Sequence, residues 1–200
     1  KDDIKNLGIE LDRMEITNSQ LKPIKKISNE IVQDQEGNQT IAIHRGRLQK
    51  LLADEVLKTN EIQFNKKYIS HSSDDTSVNV KFQEGEDKVD ILIGADGIHS
   101  KVRENLFPGS PIRSTGQVCW RGISKMNLPN DLKNLGREVW GNQIRFGFSS
   151  IYNNEVYWFA VAKESFLKKV GEKNQKEYLG SCYQSFSPVI TDLIKNTDES

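Results

Sequence analysis

The stretch Asp90–Arg103, which reads DILIGADGIHSKVR, decides the fold of this 200-residue chain. The apolar run at residues 89–93, which overlaps the start of this stretch, predicts a β-strand that is buried on both faces. The residues after it predict a helix. Gly94 and Gly97 have no Cβ and allow close approach of a ligand, while Asp96 can cap the helix, whose first N–H groups can bind phosphate. The pattern predicts a turn beside a phosphate or ribose at the carboxyl end of a central strand. A tight strand-to-helix turn without a ligand explains these residues equally well.

The residues before this stretch predict a helix followed by short strands. Residues 46–58 carry an apolar stripe at spacings of three and four, which indicates an amphipathic helix. Alternation and β-branched residues predict strands at residues 62–64, 68–71 and 78–82. Upstream, a helix is expected to end near Gly8. Strands are expected at residues 14–17, 24–27 and 40–44, with a turn at residues 36–38.

The residues after it are rich in β-strand signals and aromatic side chains. Strands are predicted at residues 118–123, 138–140, 144–149 and 156–161, and Asn153-Asn154 predicts the hairpin turn between the last two. Residues 165–196 predict helix with an interruption near Pro188.

The composition argues against several classes of partner. Lys plus Arg and Asp plus Glu each number 28, so the formal net charge is zero and gives no electrostatic reason to expect nucleic acid or an anionic membrane. No apolar run approaches the roughly 20 residues of a membrane span. Cys119 and Cys182 lie far apart and no His or Cys has metal-ligand spacing, which predicts no metal site. The two cysteines could form one disulfide, but reduced thiols in a cytoplasmic protein are the favoured interpretation.

Four segments in order resemble one enzyme family. Residues 94–103 resemble the "DG" fingerprint of the single-component FAD-dependent hydroxylases, which include p-hydroxybenzoate and salicylate hydroxylases, zeaxanthin epoxidase and the tetracycline-modifying monooxygenases. Residues 44–49 resemble the family's R-x-x-L helix start, and residues 119–122 its W-R-G strand. Residues 138–159 resemble its substrate-sheet hairpin. The resemblance therefore covers nearly the whole chain.

The resemblance implies specific site residues. Those implied to lie at the cofactor are Arg45, Tyr68, Gly94, Asp96, Gly97 and Arg103. Those implied to contact substrate are Trp120, Arg121, Arg145 and Tyr157. No side chain is implied as catalytic, because the flavin carries the chemistry in this family. Arg47 and His99 are expected to face solvent.

The resemblance also implies an activity. NADH or NADPH reduces FAD, O₂ forms a flavin C4a-hydroperoxide, and one oxygen atom is inserted into an aromatic or polycyclic small molecule. The alternatives are an epoxidase or a reductase of the same fold that acts on a lipid-like substrate, and a non-catalytic module that has lost FAD.

The implied fold is α/β, with an incomplete FAD- and NAD(P)-binding domain interleaved with a mixed or antiparallel β-sheet substrate domain. Residues 1–45 are expected to belong mostly to the substrate domain, 46–112 to the FAD-binding domain, 113–180 to the substrate sheet, and 181–200 to a helix that returns to the FAD-binding domain. The chain matches neither the family's G-x-G-x-x-G nor its G-D-A-A-H motif. We therefore expect it to be an interior piece that does not hold FAD unaided.

Overall fold

A computed structural model describes residues 2–27, 39–165 and 174–198. Residues 1–55 and 116–200 form unit 1, and residues 56–115 form unit 2. The expected turn at residues 36–38 lies outside the described residues. The elements of unit 1 are α1 (Asp2–Leu7), β1 (Gly8–Glu10), β2 (Arg13–Asn18), β3 (Pro23–Ile27), β4 (Ile41–Ile43), α2 (Arg45–Val56), β8 (Gln117–Lys125), a 3₁₀ turn (Asn130–Leu132), β9 (Leu135–Trp140), β10 (Ile144–Tyr152), β11 (Glu155–Lys163), α4 (Gln175–Cys182) and α5 (Pro188–Lys195).

Unit 1 is built on a six-stranded sheet in the order β3-β2-β9-β10-β11-β8. Neighbouring strands are antiparallel except for β2 and β9, which are parallel. The α/β class with a mixed sheet, expected from the sequence, is therefore confirmed. The strand expected at residues 62–64 is absent and that prediction is wrong.

One face of this sheet carries the core. Strand alternation sends every second side chain to this face, where α4 and α5 pack on it. Its centre is formed by Val139, Phe146, Phe148, Val156, Trp158, Tyr183, Ile190 and Leu193, all at most 4% exposed. The assignment of residues 181–200 to the FAD-binding domain stays a prediction. Residues 188–195 belong to unit 1. The physical reason is the apolar side of α5, which Ile190, Leu193 and Ile194 bury against the sheet.

The opposite face, which we call the open face, carries polar and aromatic side chains. The two-stranded β1–β4 sheet lies against β10. The Phe159 ring lies against Gly147, where an added Cβ would approach the ring to 2.1 Å. Gly147 is therefore required for this ring position.

Unit 2 contains an antiparallel sheet and a short helix. The strands β5 (Tyr68–Ser73), β6 (Val78–Phe82) and β7 (Gly85–Val89) pair in sequence order, and α3 (Lys101–Leu106) follows. The buried strand predicted at residues 89–93 is wrong, because β7 ends at Val89, and Ile91 and Ile93 are 76% and 82% exposed. Among the described residues of unit 2, no strand lies beside residues 90–93. Apolar residues form a buried strand only where neighbouring strands or helices cover them.

Candidate functional site

The glycine turn of unit 2 is organised by Asp96. Its Oδ2 accepts hydrogen bonds from the backbone N–H of Lys101 at 2.7 Å and of Val102 at 3.4 Å, and its Oδ1 accepts one from the Ser100 hydroxyl. Ser100 Oγ in turn accepts from the N–H of Arg103 at 3.0 Å. These bonds lower the pKa of Asp96, that from Ser100 most. Ser100 is therefore the N-cap residue of α3, and Asp96 is a second acceptor at the helix start. The helix N–H groups that the sequence interpretation offered to a phosphate are already used.

The two glycines of this turn serve different purposes. An added Cβ at Gly94 would lie 2.8 Å from Val102 Cγ1, so Gly94 permits the turn to pack on α3. Gly97 has a φ of +81°, and no atom lies within 4 Å of the place that a Cβ would take. Gly97 therefore leaves backbone open for close approach by a ligand.

Two other predicted cofactor residues lie in unit 2. The Tyr68 hydroxyl and His71 Nδ1 are 2.6 Å apart, and burial first and the Asp96 charge second raise the pKa of Tyr68. Arg103 turns back on its own loop, where Nη2 donates to the Ile98 carbonyl at 2.6 Å. His99 is exposed, as expected.

Arg45 and Arg47 stand at the start of α2 in unit 1. Arg45 is exposed, and a cation at a helix N-terminus is unfavourably placed relative to the helix dipole, which favours an anionic partner. The expectation that Arg47 is solvated is wrong. Its Nη2 lies 2.8 Å from Glu155 Oε2, and its guanidinium lies 4.6 Å from the centroid of the Tyr152 ring. Arg47 therefore joins the helix start to the β10–β11 hairpin.

Replacing Arg47 with Met should cost about 1–2 kcal/mol in the free energy of unfolding, because it removes one ion pair and one cation–π contact. Urea unfolding of R47M, E155Q and the double variant measures the coupling between the two side chains. Lys50→Met on the same helix is the matched control. Its exposed pair with Asp54 should contribute less than about 0.5 kcal/mol. Equal losses in R47M and K50M would contradict a joining role for Arg47.

The predicted substrate residues divide between the two faces of the sheet. Register and alternation place Arg121, Arg145 and Tyr157 on the open face. Trp120 pairs with Ala160 and packs against the core on the helix-covered face. The structure therefore brings together three of the four residues and separates Trp120 from them.

The charges on the open face differ in their partners. Arg145 Nη1 lies 2.9 Å from Glu138 Oε1, an atom that also accepts a hydrogen bond from Trp140 Nε1 at 2.9 Å. Arg121 has no such carboxylate among the described residues. A hydrogen bond to the Cys119 side chain, and then the charges of Tyr157 and Cys119, raise the pKa of Arg121. Burial raises the pKa of Tyr157, against the opposing charge of Arg121.

A cavity of about 1060 Å³ runs along the edge strand β8. On the open face its walls include Arg121, Ile123, Ser149 and Tyr157. The segment Ile41–Arg45 also lines it. Beside the helices, the cavity is lined by Trp158, Leu179 and Thr197. The indole Nε1–H of Trp158 donates a hydrogen bond to Thr197 Oγ1 at 2.7 Å. This volume is ample for a small aromatic molecule.

Sequence reasoning missed Glu138 as the partner of Arg145. It also missed Tyr152 and Glu155 as the partners of Arg47. Glu138 and Arg145 are seven residues apart in sequence and meet diagonally across β9 and β10, where Gly147 is the residue opposite Glu138. If the register of β9 against β10 had been assigned from the sequence, it would have revealed the Glu138–Arg145 ion pair. No spacing rule links Arg47 to Glu155.

The described residues fit parts of an FAD molecule. In unit 1, the exposed Arg45 guanidinium suits a phosphate. Unit 2 by itself offers the open backbone at Gly97, which suits close approach by a cofactor. The first turn of α3 does not contribute, because Asp96 and Ser100 occupy its N–H groups.

In the part of the chain that the structure describes, no helix is both long and apolar enough to cross a membrane.

Comparison with known proteins identifies relatives of this architecture. Residues 1–160 match the family model described as FAD binding domain. The chain is 29% identical over 179 residues to aurachin C monooxygenase/isomerase of Stigmatella aurantiaca, covering 89% of this chain and 45% of the relative. It is 32% identical over 163 residues to chloroplastic zeaxanthin epoxidase of Spinacia oleracea, covering 80% of this chain and 24% of the relative. The chain therefore spans less than half the length of these two relatives.

A solved structure of Klebsiella pneumoniae HpxO, complexed with FAD and uric acid, shares the fold. It superposes with a TM-score of 0.78 at 21% sequence identity, over 97% of this chain and 51% of that one. With the family model matching four-fifths of the sequence, the chain belongs to the FAD binding domain family of FAD-dependent, aromatic-hydroxylase-like monooxygenases.

Proposed function

We propose that this protein is an FAD-dependent, NAD(P)H-using monooxygenase that inserts one oxygen atom of O₂ into an aromatic or polycyclic small molecule. The observation that carries the proposal is the cavity beside the open face, with Arg121 and Tyr157 in its wall, in a chain of a flavoprotein family. FAD, when bound, supplies the electron transfer and oxygen chemistry.

The protein's own residues bind and orient. Arg45 holds cofactor phosphate through charge-assisted hydrogen bonds, and the open backbone at Gly97 receives the cofactor closely. Tyr157, Arg121 and Arg145 orient the substrate across the open face. Ile41, Ile43 and Ile123 line the cavity and exclude water from it. No side chain need act as a nucleophile or a base in this scheme.

The test of the cofactor assignment is an FAD titration, followed by flavin fluorescence, of this chain and of the full reading frame that encodes it. We expect Arg45→Gln to weaken FAD binding to the full protein by at least about tenfold, because a phosphate loses its charged partner. Lys50→Gln, which removes an exposed charge from the same helix, should leave the affinity unchanged.

The outcomes separate the candidate functions. FAD binding by the full protein followed by NAD(P)H oxidation with aromatic compounds supports the monooxygenase. Failure of the full protein to bind FAD would favour a non-catalytic module. Equal losses in R45Q and K50Q would remove Arg45 from the cofactor site.

An epoxidase that acts on a lipid-like substrate is the second candidate. The observation that favours it is the 32% identity to a zeaxanthin epoxidase. Product analysis decides between the two, because an epoxidase adds oxygen across an alkene and leaves aromatic compounds unchanged.

A cytoplasmic location is also part of the proposal. It rests on Cys119 and Cys182, which we propose to be reduced thiols, the usual state of cysteine in that compartment.

A further inference from the structure

The positive charges in the cavity exceed the negative ones. Among its described lining residues are Arg45, Arg121, Lys125 and Lys176, against one carboxylate, that of Asp198. Asp198 lies 3.0 Å from Lys125 Nζ, and Lys176 Nζ donates to the Thr197 carbonyl at 2.7 Å. Arg45 and Arg121 are thus the two cations of this wall to which the described residues offer neither a carboxylate nor a carbonyl oxygen.

Arg121 differs from the other arginine of the open face. The charge of Arg145 is offset by Glu138 at 2.9 Å. Arg121 is exposed and lines the cavity, and its neighbours on the open face, Tyr157 and Cys119, carry no carboxylate.

A ligand that covers Arg121 must account for this charge. A neutral aromatic would remove water from a guanidinium that has no carboxylate partner, which is strongly unfavourable. A carboxylate, phenolate or enolate oxygen would instead form a charge-assisted hydrogen bond with it, and the planar guanidinium suits a planar acceptor.

We propose that the substrate is an aromatic organic anion and that Arg121 determines this specificity by binding its anionic oxygen. The inference rests on the proposed function for the identity of the cavity as the substrate site. It assigns to Arg121, and not to Arg145, the recognition of substrate charge.

The test uses two probes of nearly equal shape, 2-naphthoate and 2-naphthamide, and calorimetry on the full protein saturated with FAD. We expect 2-naphthoate to bind at least about tenfold more tightly than 2-naphthamide. Arg121→Gln should remove this preference while leaving 2-naphthamide binding within about twofold, and Arg121→Lys should keep part of it. Lys25→Gln removes an exposed charge from edge strand β3, at the far side of the same sheet, and should keep all of it.

Each result decides the inference. Equal affinity for the two probes, no binding of either, or an unchanged preference in R121Q would overturn it. Since a flavin phosphate is also an anion, the titration is repeated without FAD. If 2-naphthoate binds only in the absence of FAD, Arg121 belongs to the cofactor site and the inference is wrong. Should the protein bind no FAD, the proposed function fails, and the preference of the FAD-free protein for 2-naphthoate still tests Arg121.

Discussion

Phe146→Ala should lower the free energy of unfolding of unit 1 by about 3–5 kcal/mol. Phe146 is fully buried at the centre of the sheet. Its ring stacks on Trp158 at a centroid distance of 5.4 Å and meets the edge of Tyr183 at 5.3 Å. Removal of the ring leaves a cavity that the strands cannot close, because both aromatic neighbours are held by hydrogen bonds, to Thr197 and to the Arg145 carbonyl.

Urea unfolding followed by tryptophan fluorescence measures this loss, since Trp158 reports on the same cluster. Ile24→Ala on β3 is the control, because Ile24 is 59% exposed and its loss should cost less than about 0.5 kcal/mol. A loss below about 1 kcal/mol in F146A would mean that the cluster does not form the core of unit 1.

Glu15→Gln should cost about 3–5 kcal/mol, since it breaks a buried ion pair and leaves a guanidinium uncompensated. Glu15 is 2% exposed and accepts a hydrogen bond from Arg137 Nε at 3.0 Å, and Arg13 Nε lies 2.7 Å from its other oxygen. The matched control is Glu138→Gln on the neighbouring strand. Its pair with Arg145 is partly exposed and should contribute less than about 1 kcal/mol.

The contribution of Glu15 should depend on pH. Burial alone would raise the pKa of Glu15, but the hydrogen bond from Arg13 and the charge of Arg137 outweigh it, so the pKa is lowered. A lowered pKa means that the stabilisation is complete above the unfolded-state value of about 4.3 and is lost as the pH falls through the folded-state value. The difference between wild type and E15Q should therefore shrink on acidification. A constant difference from pH 7 downward would contradict this account.

Helices and strands were predicted well where the pattern that specifies them lies within the element itself. The stripe of Leu48, Leu51 and Leu52 predicted a helix over residues 46–58, and α2 spans Arg45–Val56. The alternation in residues 156–161 predicted β11. Asp96 was predicted to cap the helix, and it does accept from the N–H of Lys101 at the helix start, although the N-cap residue itself is Ser100.

Features that depend on distant residues were not predicted. Residues 89–93 are apolar enough for a buried strand, but burial requires neighbours that sequence composition does not specify. The partners of Arg47 and Arg145 come from other strands, so their ion pairs follow from register and not from spacing. The separation of Trp120 from the other three predicted substrate residues follows from the pairing of β8 with β11, which puts Trp120 and Arg121 on opposite faces.

The parallel pairing of β2 with β9 has a consequence for biosynthesis. Residues 13–18 leave the ribosome before residues 135–140, their partner strand, have been made, so the β2–β3 hairpin emerges without the sheet that buries its inner face. Pairing across so long a separation is slow, and unpaired strand edges are prone to aggregation. We therefore expect the nascent N-terminal segment to depend on chaperones until translation has passed α5, whose side chains complete the core beneath the sheet.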